Sequence, residues 1–191
     1  MQSITPTTPT PTTLNGVDTP ALKGAIEAVA QDPALGMTTW NVRTHWKGGF
    51  RSDTKVSNFT IGGKTVEKDF TVKIDEPLEL CGTNRFANPQ EYLMAALNAC
   101  MMVGYVALCS LEGIELEEVR IETEGDIDLR GFFGLDPEVK PGYDEMAYRV
   151  YIRGNGTREQ FERIHEAVVA TSPNRFNIAN AIRLKSRLIV A

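Results

Sequence analysis

The strongest constraint on this chain is residues 91–108, EYLMAALNACMMVGYVAL, which carry almost no strongly polar side chain after the first turn. Asn88 stands where a helix N-cap belongs, Pro89 suits the first helical position, and Glu91 occupies the third, the arrangement of a reciprocal capping box. A helix that is apolar on every side survives in water only when other structure surrounds it. The pattern therefore predicts a central core helix, with Gly104 and the alanines letting a neighbour approach closely.

The rest of the chain must supply the cover. Leu22, Ala25, Ile26 and Val29 recur at helical spacing and stop at Asp32-Pro33. Trp40, Val42, Thr44 and Trp46 alternate with Asn41, Arg43 and His45, the signature of a half-buried strand. Gly48-Gly49 turns the chain, residues 56–61 and 65–74 read as two more strands about Gly62-Gly63, and the three form an antiparallel meander. Beyond the helix, Leu116, Val119, Ile121 and Thr123 mark a strand, and Tyr148, Val150 and Ile152 mark another. Residues 126–145 join them in a connection long enough to imply function or docking. Thr157 and Gln160 form a second capping box for a helix facing inward through Phe161, Ile164, Val168 and Val169. Ser172-Pro173 opens a short helical segment, and Leu184, Ser186, Leu188 and Val190 alternate as a last strand. The class is α+β, with a flexible Thr/Pro-rich arm over residues 1–20 and one domain over 21–191.

Twenty basic against 25 acidic residues, net charge −5 and no basic tract argue against nucleic acid as a partner. There is no run of 18 apolar residues, so no membrane span is expected, and the first residues lack a signal peptide's basic start and apolar centre, which points to the cytoplasm. Three cysteines without CxxC spacing and two histidines make neither a disulfide framework nor a metal site, so no metal or cofactor is expected. Phosphate loops and GxSxG elbows are absent. His45 and His165 read as surface or flanking residues.

Cys100 lies twelve residues beyond the helix cap, on a stripe with Leu93, Ala96, Leu97, Val103, Gly104 and Ala107. It is either a small buried hydrophobe or a nucleophile. Three turns from the helix start the dipole gives it little, so a reactive Cys100 needs a cation from elsewhere. Cys109 is nine positions on, about 13 Å along the axis and on the opposite face, too far for a disulfide with Cys100. Cys81 precedes Gly82 in the loop leading to the helix.

Residues 88–102, NPQEYLMAALNACMM, resemble the OsmC/Ohr superfamily of thiol-dependent hydroperoxide reductases, and the order of elements agrees from residue 37 onward. The resemblance implies antiparallel sheets wrapped around a central buried helix, an intertwined homodimer, a peroxidatic cysteine at Cys100 and a partner arginine at Arg51, with Arg43 as the alternative. Where the peroxidase branch has a glutamate this sequence has Gln90, with Glu91 next to it. Where that branch has its second, resolving cysteine this sequence has Ser172. A sulfenic acid must be captured by a second thiol to return to service, so the two-cysteine mechanism is not supported. Cys81 or an external thiol reductant must then do the resolving. The implied function is peroxiredoxin-like antioxidant reduction of small organic hydroperoxides, or of related electrophiles, in a stress response. Phe132 and Phe133 are expected as pocket wall near the partner subunit. The alternative is a non-catalytic binding protein for a small apolar ligand on the same dimer.

Overall fold

The computed structural model describes residues 13–190. Most of the Thr/Pro-rich stretch, residues 1–12, lies outside the described residues. From Thr13, β1 (Thr13–Leu14) pairs with β2 (Val17–Asp18) across Asn15-Gly16, whose φ values of 54° and 78° suit a tight hairpin turn. The Asp18 carboxylate accepts from the Ala21 amide at 2.9 Å and caps α1 (Thr19–Gln31), which ends at Asp32 before Pro33.

The chain divides into two compact units, one ending at Tyr92 and the other beginning at Leu93. In the first, β3 (Thr38–Trp40), β4 (Arg43–Trp46), β5 (Ser52–Ile61) and β6 (Lys64–Ile74) form an antiparallel sheet. β5 runs down its middle, β6 pairs along one edge, and β3 and β4 share the other edge end to end. The single strand expected over 40–46 is thus broken at Asn41-Val42. The Asn41 side-chain amide donates instead to the carbonyl and side-chain oxygens of Asn58, at 3.3 and 3.2 Å. Nor is that edge half-buried within this chain: every residue of β3 and β4 is exposed.

A register shift between Val56 and Asn58 changes which face of the sheet is apolar. Trp40, Phe59 and Val66 form one cross-strand row and Val56 faces Phe70 in another. Val56 and Phe59 are three apart on one strand, so the two rows point to opposite faces.

The second unit continues α2 (Pro89–Leu111) into β7 (Leu116–Gly125), α3 (Leu129–Phe132), β8 (Met146–Gly154), α4 (Arg158–Thr171) and α5 (Pro173–Ala179). β7 and β8 pair antiparallel. Leu116 and Val119, an odd distance apart, both pack on the core because the ladder shifts register between Leu116 and Glu118. The core is Leu97, Met101, Tyr105, Cys109, Ile114, Ile164 and Val168. Gly104 lets α4 approach as expected, since a Cβ there would come within 3.1 Å of Val168. The 126–145 connection folds on itself around α3, and Gly131 is needed where a Cβ would lie 2.2 Å from the Lys140 carbonyl oxygen.

Within this chain α2 is covered on one stripe only, not all round. Leu97, Met101, Tyr105 and Cys109 are buried at four-residue spacing, while Leu93 and Val103 remain 40% and 69% exposed. By length and composition α2 could also cross a bilayer. No uninterrupted apolar run of that length is present because Asn98 breaks it. The buried stripe, packed into the unit's core, is that of a core helix. The last strand expected over 184–190 is absent. Those residues are irregular, with Leu184, Leu188 and Val190 at 85–88% exposure, and find no ladder partner among the described residues. Alternation makes a strand only where an edge is present to pair with.

Candidate functional site

Ser172 joins α4 to α5. Its backbone N–H closes α4 on the Val168 carbonyl at 2.9 Å, and its position is the N-cap of α5. A serine there usually turns its hydroxyl back onto the helix amides. This one makes no such bond. Its hydroxyl instead donates to Cys100 Sγ at 3.4 Å, with Ser172 only 5% exposed. The partners are 72 residues apart in sequence. Asn174 fixes α5 on α2 by donating to the Ala96 carbonyl at 2.8 Å, one turn before Cys100. Arg175 holds the same corner, its Nε donating to the Tyr148 hydroxyl and its Nη1 to the Val169 carbonyl, both at 3.1 Å.

A cavity of 260 Å³ opens along this corner, lined by Leu93, Ala96, Leu97, Asn174, Ile178 and Ile182 among others. Leu93, Ala96 and Leu97 precede Cys100 by seven, four and three residues, so they share its side of the helix. The half-buried Cys100 thus has a hydroxyl donor at one side and an apolar groove along its helix.

The other expected site residues fall as follows. Cys109 is fully buried and burial, with Glu112 second, pushes its thiol up to about 11. Cys81 is exposed, in a left-handed conformation at φ 62°. The Glu91 carboxylate accepts from the Asn88 amide at 2.7 Å while Asn88 Oδ1 accepts from the Glu91 amide at 2.9 Å, the capping box expected of them. Gln90 is exposed beside it. Arg51 donates from Nη2 to the Lys47 carbonyl at 3.2 Å across the Gly48-Gly49 turn. It belongs to the unit ending at Tyr92, and Cys100 to the other. Arg43 lies exposed on β4 opposite Lys55. Phe132 and Phe133 are 65% and 56% exposed and pack on each other, ring centroids 5.1 Å apart.

Two residues escaped the sequence reading. Asp75 is wholly buried and accepts from the Thr83 hydroxyl at 2.5 Å and from the amides of Glu76, Thr83 and Arg85. The Thr83 hydroxyl, then the amides, hold its carboxyl well below the usual range against the opposing effect of burial. Its sequence signal was faint: a carboxylate just after a strand, ahead of a Pro-, Gly- and Asn-containing loop. Tyr105, on the buried stripe, shares a 2.5 Å hydrogen bond with His165 Nδ1, and burial foremost pushes its hydroxyl up to about 12.

The sequence profile of the family described as OsmC-like protein matches residues 82–187. The chain belongs to the OsmC-like family. Solved structures of the fold agree. An OsmC-like protein from Mycoplasma pneumoniae matches with a TM-score of 0.58 at 11% identity, over 75% of this chain and 89% of that one. An OsmC-like protein of unknown function from Vibrio cholerae matches at 0.53 and 15%, over 73% and 92%. A protein from Aquifex aeolicus matches at 0.56 and 13%, over 78% and 93%. No curated protein matches. At such identities the OsmC-like structures establish a shared α+β fold of antiparallel sheets and helices, with Cys100 and Ser172 both inside the matched segment.

Proposed function

We propose that this OsmC-like protein is a homodimeric, one-cysteine reductase of organic hydroperoxides or related electrophiles. Cys100 is its nucleophile and an external thiol its reductant. The observation that carries the reading is the Ser172 hydroxyl aimed at Cys100 Sγ and withheld from the helix it could cap. The hydroxyl stands within hydrogen-bond reach of the sulfur that reacts. The Cys100 thiolate attacks one peroxide oxygen, the O–O bond breaks, an S–O bond forms, and the leaving alkoxide takes a proton to become an alcohol. Cys100 is then a sulfenic acid. Serine cannot close a disulfide, so a first thiol condenses with it, releasing water and leaving a mixed disulfide. A second thiol frees Cys100, and two thiols are oxidised for each hydroperoxide reduced.

The apolar groove along α2 favours an organic substrate over hydrogen peroxide. Arg51 supplies the cation that the helix dipole cannot, oriented by Glu91 or Gln90, and Phe132 and Phe133 close the groove from the partner. One equivalent of cumene hydroperoxide followed by a small thiol should leave a thiol adduct on Cys100 in the intact mass. A quantitative Cys81–Cys100 disulfide would overturn the external-thiol route. Failure of several hydroperoxides to oxidise Cys100 would leave a binding protein for an apolar ligand, the reading the groove supports without chemistry.

A further inference from the structure

We infer that the cavity beside the Gly48-Gly49 turn is a binding site for a small organic oxyanion, its charge held by Lys73 and Arg85 with Lys47 and Arg51, its apolar body against Phe86. The cavity measures 390 Å³ and is lined by these five residues and Asp53. Four cations against one carboxylate leave a formal excess of three positive charges, in a chain whose net charge is −5. Among the described residues none of the four makes an ion pair within 4.0 Å, whereas Arg120, Arg149 and Arg153 on β7 and β8 all pair with glutamates.

Two carboxylates of the same unit, Asp75 and Glu91, are engaged elsewhere. Asp75 spends both oxygens on the amides of Glu76, Thr83 and Arg85 and on the Thr83 hydroxyl. It grips the backbone of Arg85 and leaves the guanidinium unpaired. Glu91 is held by the Asn88 amide.

Parts of the wall are held before any ligand arrives. Arg51 is folded back on the Lys47 carbonyl, the Lys73 carbonyl accepts from the Tyr92 hydroxyl at 2.7 Å, and Lys73 Nζ lies 5.4 Å from the centre of the Phe86 ring. Like charges gathered in a concave site raise the local potential and attract a counter-ion. An aromatic wall beside them suits a carboxylate or phosphate on a flat or apolar body. Of these residues the proposed thiol chemistry uses Arg51 alone, and Lys73 and Arg85, which the test replaces, serve the anion site only.

Titration of isotope-labelled protein with benzoate, inorganic phosphate and neutral benzamide, followed by backbone amide shifts, tests it. Benzoate should move the amides of residues 47–53, 73, 85 and 86 saturably. Tighter binding of benzoate than of phosphate would mark a carboxylate ligand, and the reverse a phosphate ligand. Benzamide should have no effect. The double variant Lys73→Gln, Arg85→Gln should weaken benzoate at least tenfold at an unchanged melting temperature, Lys73→Arg should retain it, and Lys64→Gln should leave it untouched. Equal binding of benzamide, shifts spread over Lys64 and Lys68 as much as Lys73, undiminished affinity in the double variant, or no saturable shift at all because a second copy's carboxylates fill the site would each overturn the assignment.

Discussion

As a cap the Ser172 oxygen would accept from an amide of α5, and the structure instead turns the hydroxyl to donate to Cys100. Because no cap bond is lost, Ser172→Ala should cost little stability. It should slow iodoacetamide labelling of Cys100 at neutral pH by several-fold, and an unchanged rate would remove the hydroxyl from the thiol's chemistry. Ser172→Cys places a second sulfur beside Cys100 and should divert the thiol adduct into an internal disulfide after one equivalent of hydroperoxide. Cys109 should stay unlabelled under the same conditions. Its buried thiol also sets an alkaline limit. Between the ordinary value of 9.0 and about 11, the unfolded chain loses the Cys109 proton while the folded chain keeps it. Stability therefore falls as pH rises through that window, by about 2–3 kcal/mol from this group alone. Tyr105 extends the loss upward from 10 towards 12. Urea midpoints from pH 8 to 11 should fall, and less steeply in Cys109→Ala. Asp75 acts at the other end: a carboxyl held below its ordinary value contributes stability that is lost as pH falls through the acid range. Asp75→Asn should lower the melting temperature at pH 7 and flatten its acid dependence.

At the scale of elements, the start of α2 separates two roles for Glu91. As the partner in the capping box it needs a side-chain oxygen, which glutamine also has. As an orienter of an arginine it needs charge. Asn88→Ala should cost about 1 kcal/mol of stability, the usual loss for a helix cap. Glu91→Gln should fold as well as the parent, so a fall in Cys100 oxidation rate in that variant alone would assign the charge to the site, and an unchanged rate would leave Glu91 a cap. The loop around α3 is held by ion pairs of Arg130 with Asp128 and Asp136, which leave Phe132 and Phe133 pointing outward. Replacing both with serine should slow oxidation by cumene hydroperoxide more than by hydrogen peroxide if the tip closes the partner's groove, and alter neither if it does not.

For the molecule as a whole, the exposed apolar surface is the dominant fact. Val103 on α2, Trp46 and Phe70 on the sheet, Phe176 on α5 and Leu184 beyond it are all 61% or more exposed. Large apolar side chains exposed to this extent in each unit are surface that a second copy could cover, and a self-complementary contact produces a two-fold dimer. Sedimentation at micromolar concentration should find a dimer. A stable, well-folded monomer would contradict this and leave the uncovered side of α2 without an account.

The sequence alone determined what short-range rules determine. The Asn88–Glu91 and Thr157–Gln160 boxes, the Gly48-Gly49 and Gly62-Gly63 turns, and the placing of α1, α2 and α4 follow from capping and periodicity within a few residues, and all are present. Asn15-Gly16 carried the same kind of signal and went unread beside the Thr/Pro-rich stretch. Alternation could not reveal that residues 184–190 lack a partner edge, because pairing is a property of the neighbour. The same holds for Asp75, whose carboxylate is satisfied only once Thr83 and Arg85 curl around it. The tertiary structure decided which side of α2 is buried, and it set Ser172 against Cys100 across 72 residues. The resemblance could single out Ser172 as a position but not place its side chain. Only the packing of α4 and α5 on α2 gives its hydroxyl something to hold.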